Sequence, residues 1–358
     1  MKNSHRFRSL LTQTTLVYTI ASCALAADPP PVSRSQVTAK LGGTTQVSTP
    51  SQLQSPILGF LASNTPVALR PIFGVPGAVV VGDPLALPGD ITRVTMAPNQ
   101  QYALVERNDA SEMGLLPLTV SGAGDIQTIA GSLGHADRIA FSPSGTSAVI
   151  YSAASQRLQL VTGLASAAPA VSDMSSDTVN GTPLTALAVS DDAQAVLAGL
   201  SDGTNGAVWL LSTQAQAKQL MPAAVPSAIR FLPQSQDAVL ADSGWKQVDL
   251  LTAVTAQFGS RLLADESQGI NAPADVDVTP DSNRVWVADA GGSALLVIDI
   301  AAGAVASIDS PFAPSSLLRL AGRSVFLVAA QDAASTGVWA PEAPNTGVWR
   351  LPSLSNFE

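Results

Sequence analysis

Two sets of charged residues return at the spacing of an internal repeat. Arg93 and Arg138 hold one place in consecutive copies of a segment that recurs about every 42 to 48 residues. Arg230, Asp277 and Arg319 hold another place in three consecutive copies, with Asp275 two residues before Asp277. Two guanidinium forks side by side suit a carboxylate or phosphate. An aspartate flanked by two arginines at one level satisfies itself, because charges removed from water are normally paired. Arg230, Asp277 and Arg319 therefore read as an ion bridge between copies, with a role in a ligand site as the alternative. Arg93 and Arg138 have no acid at their level on neighbouring copies and read as an anion site. An enzymatic reading of the same residues has Arg93 and Arg138 holding an anionic sugar or lactone, and Asp275 or Asp277 acting as acid and base.

Other chemistry is scarce. The chain has two histidines, His5 and His135, and one cysteine, Cys23. That excludes multi-histidine and cysteine metal centres, and no metal or cofactor is expected. His135 precedes Asp137 by two, a spacing that can orient a general base, but no third member is indicated and a loop histidine fits equally. The acidic turns at Asp109, Asp202 and Asp289 offer oxygens to calcium and are also ordinary polar turns. Two copies of Thr-Gly-Val-Trp, at 336–339 and 346–349, lie in or beside a long connection, 331–345. Trp339 is either an exposed anchor for a partner protein or core.

The elements that must position these residues are strands. The copies ITRVTMAPNQQYALV, ADRIAFSPSGTSAVI, LTALAVSDDAQAVLA, PSAIRFLPQSQDAVL, PADVDVTPDSNRVWV and PSSLLRLAGRSVFLV align on Met96, Phe141, Val189, Phe231, Val278 and Leu320. Each is an apolar strand, a tight turn and a second apolar strand, a period that signals propeller blades. The fifth copy predicts strands a (275–279), b (284–288), c (294–300) and d (304–308). The expected fold is all-β, a single β-propeller of four-stranded antiparallel blades over 55–358, with strand a lining a central channel. Six complete a–b pairs argue for six blades. A surplus c strand (346–351), a c–d pair (57–63 and 68–74) and the apolar run 78–81 tip the balance to seven, with the two termini sharing the closing blade.

The fifth copy, with Val278-Thr279-Pro280-Asp281-Ser282, Val285-Trp286-Val287-Ala288-Asp289 and Val297-Ile298-Asp299, resembles the repeat of bacterial YVTN-type propellers, which reads VTPDG, YVAN and VID and is similar to lactonase-like, WD-type and NHL propellers. Pro98, Pro143 and Pro233 keep the turn proline, whereas Asp191 and Gly322 replace it. The resemblance covers most of 91–352 and implies a fold. The lactonase-like relatives hydrolyse sugar lactones, but their acid, histidine and arginine constellation does not align onto this chain.

Residues 1–26 read as an export signal: Lys2, Arg6 and Arg8, an apolar middle from Leu10 to Ile20, and Ala24-Leu25-Ala26 before the cut. Ile20-Ala21-Ser22-Cys23 also fits a lipobox, which would place a lipid anchor on Cys23. Both readings export the chain to a bacterial periplasm, outer membrane or exterior. Residues 27–54 read as a flexible Pro/Ser/Thr-rich linker, and no later segment is apolar for long enough to span a membrane. A net charge of −9 argues against nucleic acid. The expected function is an exported ligand-binding or protein-interaction module of the cell envelope, its partner an unknown protein or a small anion, with a hydrolase or lyase on an anionic sugar or lactone as the alternative.

Overall fold

The structure is a computed structural model that describes residues 56–75, 78–119, 122–166, 168–179, 181–213, 215–320, 324–330, 336–340 and 348–351. The expected leader, Cys23, the linker 27–54 and most of the connection 331–345 lie outside the described residues. None of the described helices is long and apolar enough to cross a membrane.

Seven antiparallel sheets form a β-propeller. In chain order they are blade 1 (57–81), blade 2 (91–128), blade 3 (138–174), blade 4 (184–223), blade 5 (226–264), blade 6 (273–309) and blade 7 (314–350). Blade 6 follows the repeat closely, with strands Pro273–Val278, Arg284–Asp289, Ala294–Asp299 and Val305–Asp309 in that order from the axis outwards.

Each apolar cluster is shared by two blades. Val239, Val248 and Leu250 of blade 5, for example, meet Val276, Val287 and Leu296 of blade 6. A sheet covered on both faces needs apolar side chains on both, so strands b read as continuous apolar runs, such as Ala238-Val239-Leu240-Ala241, instead of alternating. Of the six aligned anchors, Met96, Val189, Phe231, Val278 and Leu320 are buried and Phe141 is half-buried.

Strand a carries a bulge at its second residue in blades 2 and 4 to 7, at positions 92, 185, 227, 274 and 315. Four of those residues are Thr or Ser. Their hydroxyls bond the strand b carbonyls of Glu106, Gly199, Ala241 and Ala329 at 3.1–3.2 Å, capping acceptors that the extra residue takes out of the ladder. In blade 6 the bulge residue is Ala274, which has no hydroxyl to give. Between strands a and b the turn needs a left-handed residue, filled by Gln100, Gly145, Ala193, Gln234 and Ser282.

Blade 1 departs from the expectation. Its strands are Ile57–Asn64, Val67–Val75 and Ala78–Val81. Phe60 N donates to Gln100 Oε1 beyond the lower end of the blade 2 inner strand, whereas Asn64 Oδ1 accepts from Val94 N within that strand. The first strand therefore runs against the inner strands, and the three serve as b, c and d, not as a c–d pair. Six inner strands surround the axis among the described residues. The C-terminal assignment also changes: Thr336–Trp339 is strand c of blade 7 and Val348–Arg350 its outer strand, so the last blade supplies its own four strands. Closure comes from packing. Leu58, Leu61, Ile72 and Val81 meet Leu320, Val325, Leu327 and Val338, while Gln100 Nε2 donates to Arg319 O at 2.8 Å.

Candidate functional site

The channel is bordered by strands a. It has two chambers of about 260 Å³ each. The upper one, on the side of the d-to-a connections, is lined by Arg93, Asp137, Arg138, Ala186, Arg230 and Asp275 among others. The lower one has small side chains on one wall, Thr95, Ala140 and Ala188, and Arg230, Asp277 and Arg319 on the other. Arg230 and Asp275 line both and form the waist. All six charged residues singled out by the repeat thus reach the channel.

Their pairing differs from the expected three-membered bridge. Arg319 takes Asp277 side-on, Nη2 to Oδ1 at 2.9 Å and Nε to Oδ2 at 3.2 Å. It also donates to Val278 O and lies 5.9 Å over the Phe326 ring. With Asp277 engaged, Arg230 reaches Asp275 instead, at 3.3 Å. Asp275 accepts further from Val276 N and Leu317 N, each at 2.9 Å. Burial raises its pKa above the ordinary aspartate value, with Asp277 adding to the rise. The Arg230 charge and the two backbone donors work against it.

Arg93 is also not free of an acid. Its strand b partner is Glu106, on the same blade, with Nη1 3.3 Å from Oε1 and 2.5 Å from Ala136 O. Glu106 accepts from Ala136 N as well, and His135 Nδ1 lies 3.2 Å from its other oxygen. His135, exposed on its other side, is therefore oriented by Glu106 and not by Asp137, which accepts from Ala153 N.

Arg138 stands apart. The residue opposite it on strand b, at the place of Glu106, is Tyr151. Among the described residues the Arg138 side chain makes no hydrogen bond or ion pair. Desolvation lowers its pKa, with the Asp137 charge opposing. Glu106 and Tyr151 are the functional residues missed from the sequence. The signal was one column beyond the aligned copies, where Val105-Glu106 stands against Ile150-Tyr151.

The remaining candidates are structural. Trp339 is fully buried, edge-on to Trp286 at 5.0 Å and beside Phe326, because strand c of blade 7 faces blade 6; it is not an exposed anchor. Asp202 spends Oδ1 on Thr204 N and Asn205 N, and Asp289 accepts from Asn271 N and Ala272 N. Asp109 bonds Asn108. Among the described residues no three His, Cys, Asp or Glu side chains are grouped to hold a metal ion.

Fold and site together define a β-propeller with a charged axial channel. No family model matches the sequence, and no curated protein matches it. Solved structures do share the architecture. A functionally unknown protein from Desulfotomaculum acetoxidans is 13% identical at a TM-score of 0.55, over 81% of this chain and 95% of that one. A "putative 6-phosphogluconolactonase" from Bacteroides uniformis is 13% identical at 0.54, over 81% and 94%. A streptogramin B lyase is 11% identical at 0.52, over 75% and 86%.

Proposed function

We propose that this chain is an exported propeller of the YVTN-like kind that binds a small anion at the upper mouth of its channel. One observation carries the reading. Arg93 and Arg138 hold equivalent positions, but the cross-strand partner of Arg93 is the carboxylate of Glu106, and that of Arg138 is Tyr151. Arg138, beside Arg93 and Arg230 and with no bonded acid, only the charge of the neighbouring Asp137, sits where desolvation sharpens its attraction for a carboxylate or phosphate. Export rests on the basic, apolar and small-residue order of 1–26. Calorimetric titration of the purified protein with citrate, phosphate and D-glucuronate tests the binding. At least one anion binds, and Arg138→Ala weakens it tenfold or more. Equal affinity in that variant refutes the reading.

A second reading, hydrolysis or elimination on an anionic sugar or lactone, is favoured by His135 and Glu106. Glu106 holds one ring nitrogen and leaves the rest of the ring exposed, the arrangement of an oriented general base. In this reading His135→Ala removes turnover of a sugar lactone and leaves anion affinity intact. Unchanged turnover removes it.

A further inference from the structure

Arg138 borders a second space as well as the channel. On the upper face, between blades 3 and 4, lies a cleft of about 660 Å³ lined by Arg138, Tyr151, Gln156, Thr182, Val179 and Leu184 among others. Arg138 and Tyr151 are directly paired across strands a and b, so both side chains lie on the face of blade 3 turned to blade 4. The Tyr151 ring is mostly buried, but its hydroxyl has no protein partner among the described residues and stays accessible on the cleft. The Gln156 amide and the Thr182 hydroxyl, on the same cleft, are likewise without protein partners among the described residues. Four polar groups without side-chain partners among the described residues, one cationic and three able both to donate and to accept, thus meet one space whose lining also holds the Asp137 carboxylate, which accepts from Ala153 N, and the apolar Val179, Pro183 and Leu184.

We propose that this cleft seats the body of the bound anion, and that the ligand is a hydroxylated ring carrying a carboxylate, of the sugar-acid class. Resting on the anion site proposed above, the inference adds where the ligand lies and what it is. Arg138 takes the carboxylate at the junction of cleft and channel. Tyr151, Gln156 and Thr182 take ring hydroxyls, and the apolar wall meets the C–H face of the ring. A compact anion such as phosphate would use Arg138 and leave the other three groups idle. A neutral sugar would leave the arginine desolvated and unpaired.

The test is titration of the purified protein with D-glucuronate, D-glucose and phosphate, on the native chain and on Tyr151→Phe, Gln156→Ala and Arg138→Ala, each checked for a native circular-dichroism melt. Gln156 is exposed, so its variant keeps the test open should Tyr151→Phe fold poorly. D-glucuronate binds more tightly than the other two. Tyr151→Phe and Gln156→Ala each weaken it about 3- to 10-fold, the loss of one hydrogen bond, and leave phosphate unchanged; Arg138→Ala weakens both anions. If D-glucuronate affinity ignores Tyr151→Phe and Gln156→Ala, or phosphate binds as tightly, the cleft is not the seat, although sensitivity to Arg138→Ala would still uphold the anion site. If Arg138→Ala changes nothing, both proposals fall.

Discussion

Asp249→Asn is expected to stabilise the protein at neutral pH and to do nothing in acid. Asp249 lies on the third strand of blade 5, is 4% exposed, and accepts a hydrogen bond from Gln247 Nε2 at 2.7 Å. Burial pushes its pKa from an ordinary 3.8 to about 6; the Gln247 bond opposes the rise and the nearby Asp242 carboxylate adds to it. A folded-state pKa above the unfolded one means that the native protein holds this proton more tightly, so stability is lost as pH rises through the interval from 3.8 to 6. Above that interval the ionised carboxylate costs about 3 kcal/mol, from roughly two pKa units at about 1.4 kcal/mol each. Asparagine keeps an oxygen for Gln247 and carries no charge. Urea unfolding at pH 8, 5 and 3.5 should show a midpoint gain for the variant worth up to about 3 kcal/mol at pH 8, smaller at pH 5 and near zero at pH 3.5. A gain of the same size at all three values, or a loss at pH 8, would refute an electrostatic origin.

Two further substitutions probe the frame that carries the site. Ala274→Ser supplies the hydroxyl that the bulges of blades 2, 4, 5 and 7 use to cap a strand b carbonyl. Thermal unfolding should register a gain of about 0.5–1 kcal/mol, and a lower melting temperature would show that the blade 6 bulge is built differently. Gln100→Leu removes both seam hydrogen bonds, to Phe60 N and Arg319 O. Leaving two backbone groups unpaired should cost about 2–4 kcal/mol in urea unfolding, and an unchanged midpoint would mean that the seam does not depend on this side chain.

The architecture was legible because a propeller repeats its instructions. The aligned anchors, the proline turns and the four strands of the fifth copy needed only period and polarity. The charged residues were legible as a set, since the positions one and three before each anchor line the channel. Of their partners only the Asp277–Arg319 pair was. Arginine is long enough to reach another level of the channel, so Arg230 could meet Asp275 once Asp277 was held bidentately by Arg319. Glu106 and Tyr151 reach the site from strand b, across a pairing that a comparison of strands a does not contain. The terminal blades were misread for a different reason. Thr336–Trp339 and Val348–Arg350 share one motif, and polarity alone does not tell a third strand from a fourth. Nor does a lone apolar run such as 57–64 reveal its direction in the ring.

The seam has a consequence for how the molecule is held together. Described strands of blades 1 and 7 do not enter each other's sheets, so the ring is fastened there by an interface like that between two proteins: side chains meeting face to face, with Gln100 as a polar bolt. An interface of this kind has an opening equilibrium of its own, set by local free energy and not by the stability of the blades on either side. Two opened rings would present matching halves of the same joint, so at high protein concentration each could close on the other, whereas within one chain the two halves are tethered at a far higher effective concentration, which favours closing on itself.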